Sequence, residues 1–215
     1  MFLNKHNLES LQVQNNIIRP VLVVFDFDGT LTDRHTFWRY IRFIHGSCFF
    51  WRKVLLSLPQ IIAVLLKITP VMKARRKFIY YFFSNLDVRM ENTIAKHYVE
   101  EYLPHCLRPE AIRRLHWHQS QGHLVALVSN SPENYLKIWG EKNNLDIVCG
   151  TRLASDGKKF NGFIMGNDCV GDEKVRRLRE AVPNLDEYQI YVYGDSSGDT
   201  QILDIATIPF YRNWY

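Results

Sequence analysis

The sequence predicts an α/β fold: a doubly wound, parallel, Rossmann-like sheet with an α-helical module inserted after its first strand. Three observations carry that prediction. Short apolar runs alternate with helical stretches through the second half of the chain, the pattern of strand–helix–strand units. Three of those runs end in polar signatures: Asp26-x-Asp28-Gly29-Thr30, Ser129-Asn130-Ser131 and Gly194-Asp195-Ser196-Ser197-Gly198-Asp199. Ligands bind at the carboxyl ends of strands in such sheets, so the three signatures converge on one edge. Finally, residues 34–86 hold ten Lys/Arg and no Asp/Glu, together with 12 of the 29 aromatic residues. That shift in composition marks an insertion.

The elements follow in order. Residues 1–18 read as a loosely attached lead-in, where Lys5, His6, Glu9, Gln14, Asn15 and Asn16 interrupt any signal-peptide core. Val21–Phe25 is apolar and β-branched without a helical period, the pattern of a strand buried on both faces. Helices are expected over 37–44, 54–66, 73–83 and 89–102, with Pro59 ending or kinking the second. Pro109 suits the first turn of a helix that runs to Gln121. A second buried strand covers 123–129, then a helix 132–143 and a third strand 145–149. Residues 150–165 alternate and carry Asp156-Gly157, a hairpin signal. A helix over 172–181, a strand over 189–193, a short helix over 199–206 and a last strand near 207–210 complete the order. The resulting division is a core of 19–33 and 105–215, with a helical cap of 34–104.

Composition bounds the function. The chain has 215 residues, 47% hydrophobic and 23% charged, an ordinary soluble balance. Its net charge is +5, all of it due to the insertion, because the remainder holds 17 basic and 22 acidic residues. The four cysteines (Cys48, Cys106, Cys149, Cys169) show no C-x-x-C spacing and read as reduced core residues of a cytoplasmic protein.

Two carboxylates at a strand tip are costly unless paired or bound to metal. The plain structural alternative is a strand followed by a helix cap, with Asp28 or Thr30 capping. The chemical alternative is richer. Asp26 can attack phosphorus, dividing one hard displacement into two easier ones. Asp26 and Asp195 can share a Mg²⁺. Asp28 can protonate the leaving oxygen and then deprotonate water. Ser129, Asn130 and the N–H groups opening the next helix form an anion site, to which Gly29 is added. Lys174 can neutralise phosphate charge.

These residues resemble the haloacid dehalogenase-like superfamily, in its phosphoserine-phosphatase-like branch, over residues 20–210. Four motifs stand in register: Asp26-x-Asp28-x-Thr30, Ser129, Lys174 and Gly194-Asp195-x-x-x-Asp199. The resemblance implies Asp26 as nucleophile and Asp28 as general acid/base. It implies Mg²⁺ held by Asp26, Asp195 and the backbone carbonyl of Asp28. It gives Ser129 and Lys174 to the phosphate, and an outer role to Thr30, Ser196 and Asp199. Gly198 stands where that branch often has Asn. Dehalogenases lack the second aspartate, so Asp28 argues for a phosphatase or phosphotransferase acting on a phosphate ester.

The insertion then bears on the substrate. Its longest uncharged run, Val54–Leu66, has 13 residues and contains Pro59, which is short of the roughly 20 a bilayer span needs. One reading is a plain helical bundle with an aromatic core. The other is a basic, aromatic face for an anionic membrane surface, with Lys73, Arg75, Arg76 and Lys77 as its strongest cluster and a peripheral place on the inner face of the membrane. This part of the chain is similar to the phosphatidylglycerophosphatase C relatives: Phe37-Trp38-Arg39-Tyr40, an apolar stretch around a proline, then a basic cluster. That similarity implies a lipid or isoprenoid phosphate. Phosphoserine or a sugar phosphate is the alternative, and an idle fold serving as a lipid-binding module is the non-enzymatic one. No acidic residue between Arg34 and Leu86 is available for the amino group of phosphoserine. No nucleic-acid module is recognised. His116 and His118 read as surface histidines, since residues two apart on a helix do not share a face. Arg176, Arg177 and Arg179 read as a solvated helix face beside Glu173 and Glu180.

Overall fold

The computed structural model describes residues 19–213. The lead-in expected over 1–18 lies outside them. Strand β1 (Val21–Phe25) is the middle of a five-stranded parallel sheet. It pairs on one side with β2 (Leu124–Pro132), which pairs with β3 (Ile147–Thr151). On its other side lies β6 (Gln189–Gly194), followed by β7 (Ile208–Tyr211). The order β3-β2-β1-β6-β7 explains the apolar composition of β1. Covered on both faces, it alternates between two cores. Val23 and Phe25 join Leu115 of α6 (Pro109–Ser120) and Leu136 and Trp139 of α7 (Glu133–Lys142). Leu22 and Val24 join Leu178 of α8 (Asp172–Ala181) and Ile202 of α9 (Thr200–Asp204). The chain runs outward from β1 in one direction and later in the other. The resulting crevice lies beyond the carboxyl ends of β1 and its neighbours.

Between β1 and α6 the chain forms five α-helices: α1 (Thr36–His45), α2 (Ser47–Leu56), α3 (Leu58–Leu65), α4 (Val71–Phe83) and α5 (Val88–His97). The sequence reading needs correction here. Residues 47–53 are helical, and the single helix expected over 54–66 is broken at Ser57 into two limbs bent by 59°. Pro59 does not end a helix but sits in the first turn of α3, where its missing N–H has no helical partner to lose. The helix expected over 89–102 also divides: α5 gives way to a π-helical turn at Tyr98–Tyr102 and a 3₁₀ turn at Leu103–Cys106. Tyr98 is fully buried there and donates to the Thr36 carbonyl at 3.0 Å, which ties the exit of the insertion to its entrance.

The hairpin expected around Asp156-Gly157 forms as β4 (Leu153–Ser155) and β5 (Phe160–Ile164), antiparallel and separate from the main sheet. It packs on α4: Phe160 meets Phe83 edge-on, with centroids 6.3 Å apart. Gly162 admits Tyr80 so closely that a Cβ would lie 2.9 Å from its Cα. Of the four cysteines, three are buried, but Cys48 is exposed on α2, against the core placement expected for it.

Candidate active site

The Asp26, Ser129 and Asp195 signatures do meet at the carboxyl edge of the sheet. Asp26 follows β1 directly and is buried, its N–H donating to the Tyr193 carbonyl of β6 at 2.9 Å. Lys174, on α8 and also buried, donates through Nζ to Asp26 Oδ1 at 2.6 Å and Asp199 Oδ1 at 2.5 Å. Asp199 Oδ2 in turn accepts from the N–H groups of Asp195 and Ser196 and from Ser196 Oγ. One cation thus holds two carboxylates, and the second of these is fixed by the turn after β6. Oxygens of Asp26, Asp195 and Asp199 lie within 4.8 Å of one another.

The charges are unequally satisfied. Burial pushes Asp26 up to about 7, with Lys174 pulling the other way. Asp195 is raised by burial and by the neighbouring Asp199 charge, and its Oδ1 is buried without a hydrogen-bond partner among the described residues. For Asp199 burial is outweighed by Lys174 and the Ser196 donors, which hold it below the usual carboxylate range. Burial opposes the charge of Lys174, but the two aspartates raise its pKa. A buried and a half-buried carboxylate with raised pKa values, one orphaned oxygen and an all-oxygen donor set fit a hard divalent cation.

Asp28 lies within the Phe27–Thr30 turn and directs its carboxylate to other partners. Its Oδ1 accepts from the N–H and Oγ1 of Thr36, each at 2.6 Å, and its Oδ2 accepts from Ser131 Oγ. Thr36 is the first residue of α1, so the carboxylate also caps that helix at its positive end. The structural and chemical readings of Asp28 are therefore compatible. Thr36 Oγ1 is hydrogen-bonded at 2.8 Å to Tyr135 OH on α7.

The remaining residues take varied places. Gly29 has φ +88°, and a Cβ there would lie 2.3 Å from Asp195 Oδ2. The bare glycine lets β1's turn and the β6 turn approach. Ser129 is buried, and its Oγ accepts from the Ser131 N–H at 3.3 Å. Asn130 lines the cleft, and its carbonyl oxygen accepts from Arg75 and Thr151. Thr30 is fully buried, with a hydroxyl that has no hydrogen-bond partner among the described residues. Gly198 leaves room for Val170, whose Cγ2 would be 3.0 Å from a Cβ.

Three residues at the site have roles that the sequence does not show: Ser131 and Thr36, which hold Asp28, and Arg75. The sequence pattern places Arg75 in an outward basic cluster with Lys73, Arg76 and Lys77. Instead it turns in from α4, pairs with Asp168 at 2.9 Å, donates to the Asn130 carbonyl at 2.7 Å and lies 4.4 Å over the Phe37 ring. A buried acid, Asp168, pulls it inward, and that acid lies 93 residues away in sequence. Two further corrections concern charge. His118 is not a surface residue: it is fully buried, between His123 Nδ1 at 2.8 Å and Tyr193 OH at 3.0 Å. Arg177 is buried too, bonded to Glu173 and to the Gly150 and Asn167 carbonyls, while Arg176 and Arg179 are partly exposed on the expected face.

Asp26, Asp28, Ser129, Arg75 and Lys174 line one cleft of about 160 Å³, closed on the insertion side by His35, Phe37 and Trp38. Known proteins are similar to this chain in sequence or in fold. Protein CicA of Caulobacter vibrioides is 33% identical over 194 residues, covering 90% of this chain and 86% of the relative. A protein of unknown function from Bordetella pertussis Tohama I superposes with a TM-score of 0.75 at 17% identity, over 89% of each chain. A probable phosphoserine phosphatase from Vibrio cholerae gives 0.66 at 16% identity, over 89% of this chain and 55% of that one. A substrate-bound phosphoserine phosphatase gives 0.61 at 17% identity, over 89% and 85%. The model of the haloacid dehalogenase-like hydrolases matches residues 23–204, and the chain belongs to that family.

Proposed function

We propose that the protein is a Mg²⁺-dependent phosphatase that hydrolyses a phosphate monoester through an aspartyl-phosphate on Asp26. The observation that carries this reading is the Asp26–Lys174–Asp199 arrangement, with Asp28 held apart from it on the Thr36 and Ser131 donors. Lys174 engages Asp26 Oδ1, which leaves Oδ2 as the attacking oxygen. Its attack on phosphorus breaks the ester bond, and Asp28 gives its proton to the departing alcohol oxygen. Asp28 then takes a proton from water as that water attacks the phosphoryl group. Inorganic phosphate leaves and Asp26 is regenerated. Ser129 and Lys174 bind phosphoryl oxygens in this scheme, and the Gly29 and Asn130 backbone completes the cradle. Asp26, Asp195 and the Asp28 carbonyl would hold the cation, with Thr30, Ser196 and Asp199 behind them. When bound, Mg²⁺ supplies charge neutralisation at the phosphate.

The proposed division of labour follows the domain reading, with the core of 19–33 and 105–215 doing the chemistry and the cap of 34–104 choosing the substrate. The cleft admits a phosphoryl group and a short head, and its insertion wall is aromatic and basic. Its carboxylates (Asp26, Asp28, Asp199) are all engaged, so a substrate amino group would find none to spare. This favours a lipid or isoprenoid phosphate over phosphoserine, and the basic insertion suits an anionic surface.

The test is release of phosphate from an aryl phosphate, then from lipid phosphates, sugar phosphates, nucleotides and phosphoamino acids. Turnover should need a divalent cation and fall at least about 1,000-fold in Asp26→Asn. Wild-type turnover in pure Asp26→Asn protein would refute the mechanism, and preference for phosphoserine would refute the substrate.

A further inference from the structure

Helix α3 is unusual for a helix packed on a water-soluble core. Six of its eight residues are Leu, Ile, Val or Ala, yet none is buried. Leu58, Ile62, Leu65 and Leu66 share one side of the helix and are exposed. The exposed apolar surface continues back along α2 through Trp51, Leu55 and Leu56, and forward through Ile68 and Val71. Leu65 and Ile68 are 75% and 72% exposed. An apolar surface of this continuity marks an interaction site.

The corner between the two helices is a built feature. Ser57 is buried, its N–H donates to the Lys53 and Val54 carbonyls, and its own carbonyl accepts from Gln60 and Ile61. The 59° bend between α2 and α3 is thus fixed by hydrogen bonds. Each limb is too short to cross a bilayer, at about 15 Å and 12 Å from the helical rise. No single helix among the described residues is long and apolar enough to do so; the two limbs together pass by length and composition, but the 59° bend turns them out of line.

Charge identifies the partner. Arg52, Lys67 and Lys73 are exposed around this surface, and none has a carboxylate within ion-pair distance among the described residues. The whole stretch 34–86 is without Asp or Glu. Trp51, beside Arg52 at the edge of the patch, has the amphipathic ring that suits a membrane–water boundary.

We propose that the α2–α3 corner and the turn after it dock on an anionic phospholipid surface, lying in the interface without crossing it. The apolar side of α3 enters the boundary between headgroups and chains, and the three cations meet lipid phosphates. The proposal gives the membrane reading of the insertion a specific surface. It does not depend on the reaction, because binding requires no turnover.

The experiment is co-sedimentation of the full chain with phosphatidylcholine vesicles, with and without phosphatidylglycerol, at low and high salt. Wild-type protein and Asp26→Asn should bind the mixed vesicles equally, and neutral vesicles roughly 10-fold less. The Ile62→Ser/Leu65→Ser/Leu66→Ser triple should lose binding roughly 10-fold or more. The Arg52→Gln/Lys67→Gln/Lys73→Gln triple should lose it by a similar factor and flatten its salt dependence. Melting temperatures should stay at the wild-type value, because all six side chains are exposed. Three results would overturn the proposal: no binding at low salt, undiminished binding by the serine triple, or a wild-type dimer that the serine triple converts to monomer. The last would make a second copy the occupant.

Discussion

At the residue scale, Gly29 is the tightest constraint in the site. Its φ of +88° and the 2.3 Å separation that a Cβ would have from Asp195 Oδ2 leave no space for a methyl group. Gly29→Ala should cost about 1 kcal/mol in stability from the backbone alone. By displacing Asp195 it should lower turnover by about 100-fold, read as kcat on an aryl phosphate. His118 makes a second prediction, of opposite kind. Burial first, then the charges of Arg114 and His123, push it down to about 3. Unfolded, it takes a proton near pH 6.5. Between those values the unfolded state holds more protons, so the contribution is present above pH 6.5 and is lost as the pH falls toward 3. The unfolding free energy from urea titrations should therefore fall by about 2 kcal/mol more in the wild type than in His118→Gln between pH 7 and pH 4.5. The Asp26, Asp28, Asp195 and Asp199 positions were legible because each follows a strand end in a short motif. The roles of Ser131, Thr36 and Arg75 were not, because each is set by partners outside its own motif: Asp28 for the two hydroxyls, Asp168 and the Asn130 carbonyl for the guanidinium. Ser131 stands inside the Ser129-Asn130-Ser131 signature, but neither a hydroxyl nor a cation on a helix shows locally which carboxylate it will meet.

Elements were legible in proportion to how far local rules alone decide them. The strands were recovered because burial on both faces forces unbroken apolar runs. The breaks were not. Ser57 divides α2 from α3 through hydrogen bonds around one buried hydroxyl residue, and Tyr98 starts a π turn as it reaches the Thr36 carbonyl. Both depend on contacts that no periodicity records. The start of α5 is the contrary case, since Asp87 Oδ1 accepts from the N–H groups of Arg89 and Met90 at 2.9 Å each. Asp87→Ala removes that cap and should cost about 1 kcal/mol. The cap lies outside the cleft, so kcat and KM on an aryl phosphate should remain at wild-type values while the denaturation midpoint drops.

For the whole molecule, the question is how the insertion is held over the catalytic edge. Arg75 is the clasp: it reaches from α4 to the Asn130 carbonyl at the end of β2 and to Asp168 before α8. It also lines the cleft, so it has two separable roles. As a clasp it neutralises Asp168, a side chain only 2% exposed. Arg75→Ala leaves that carboxylate with Arg76 alone, 3.9 Å away. The loss should be about 3 kcal/mol, or roughly 10 °C in Tm for a chain of this size. As part of the cleft wall, Arg75 adds positive charge where the substrate phosphate enters, so its removal should raise KM on any phosphate ester. A double-mutant cycle separates the two roles. Arg75→Ala/Asp168→Ala removes both members of the pair and should recover most of the lost Tm, because no unpaired charge remains buried. It should leave KM as high as in the single variant, because nothing restores the missing cation to the cleft. If the double variant recovered KM together with Tm, Arg75 would act through closure of the insertion alone. If neither recovered, the Asn130 contact rather than the Asp168 pair would be what holds α4 to the sheet edge.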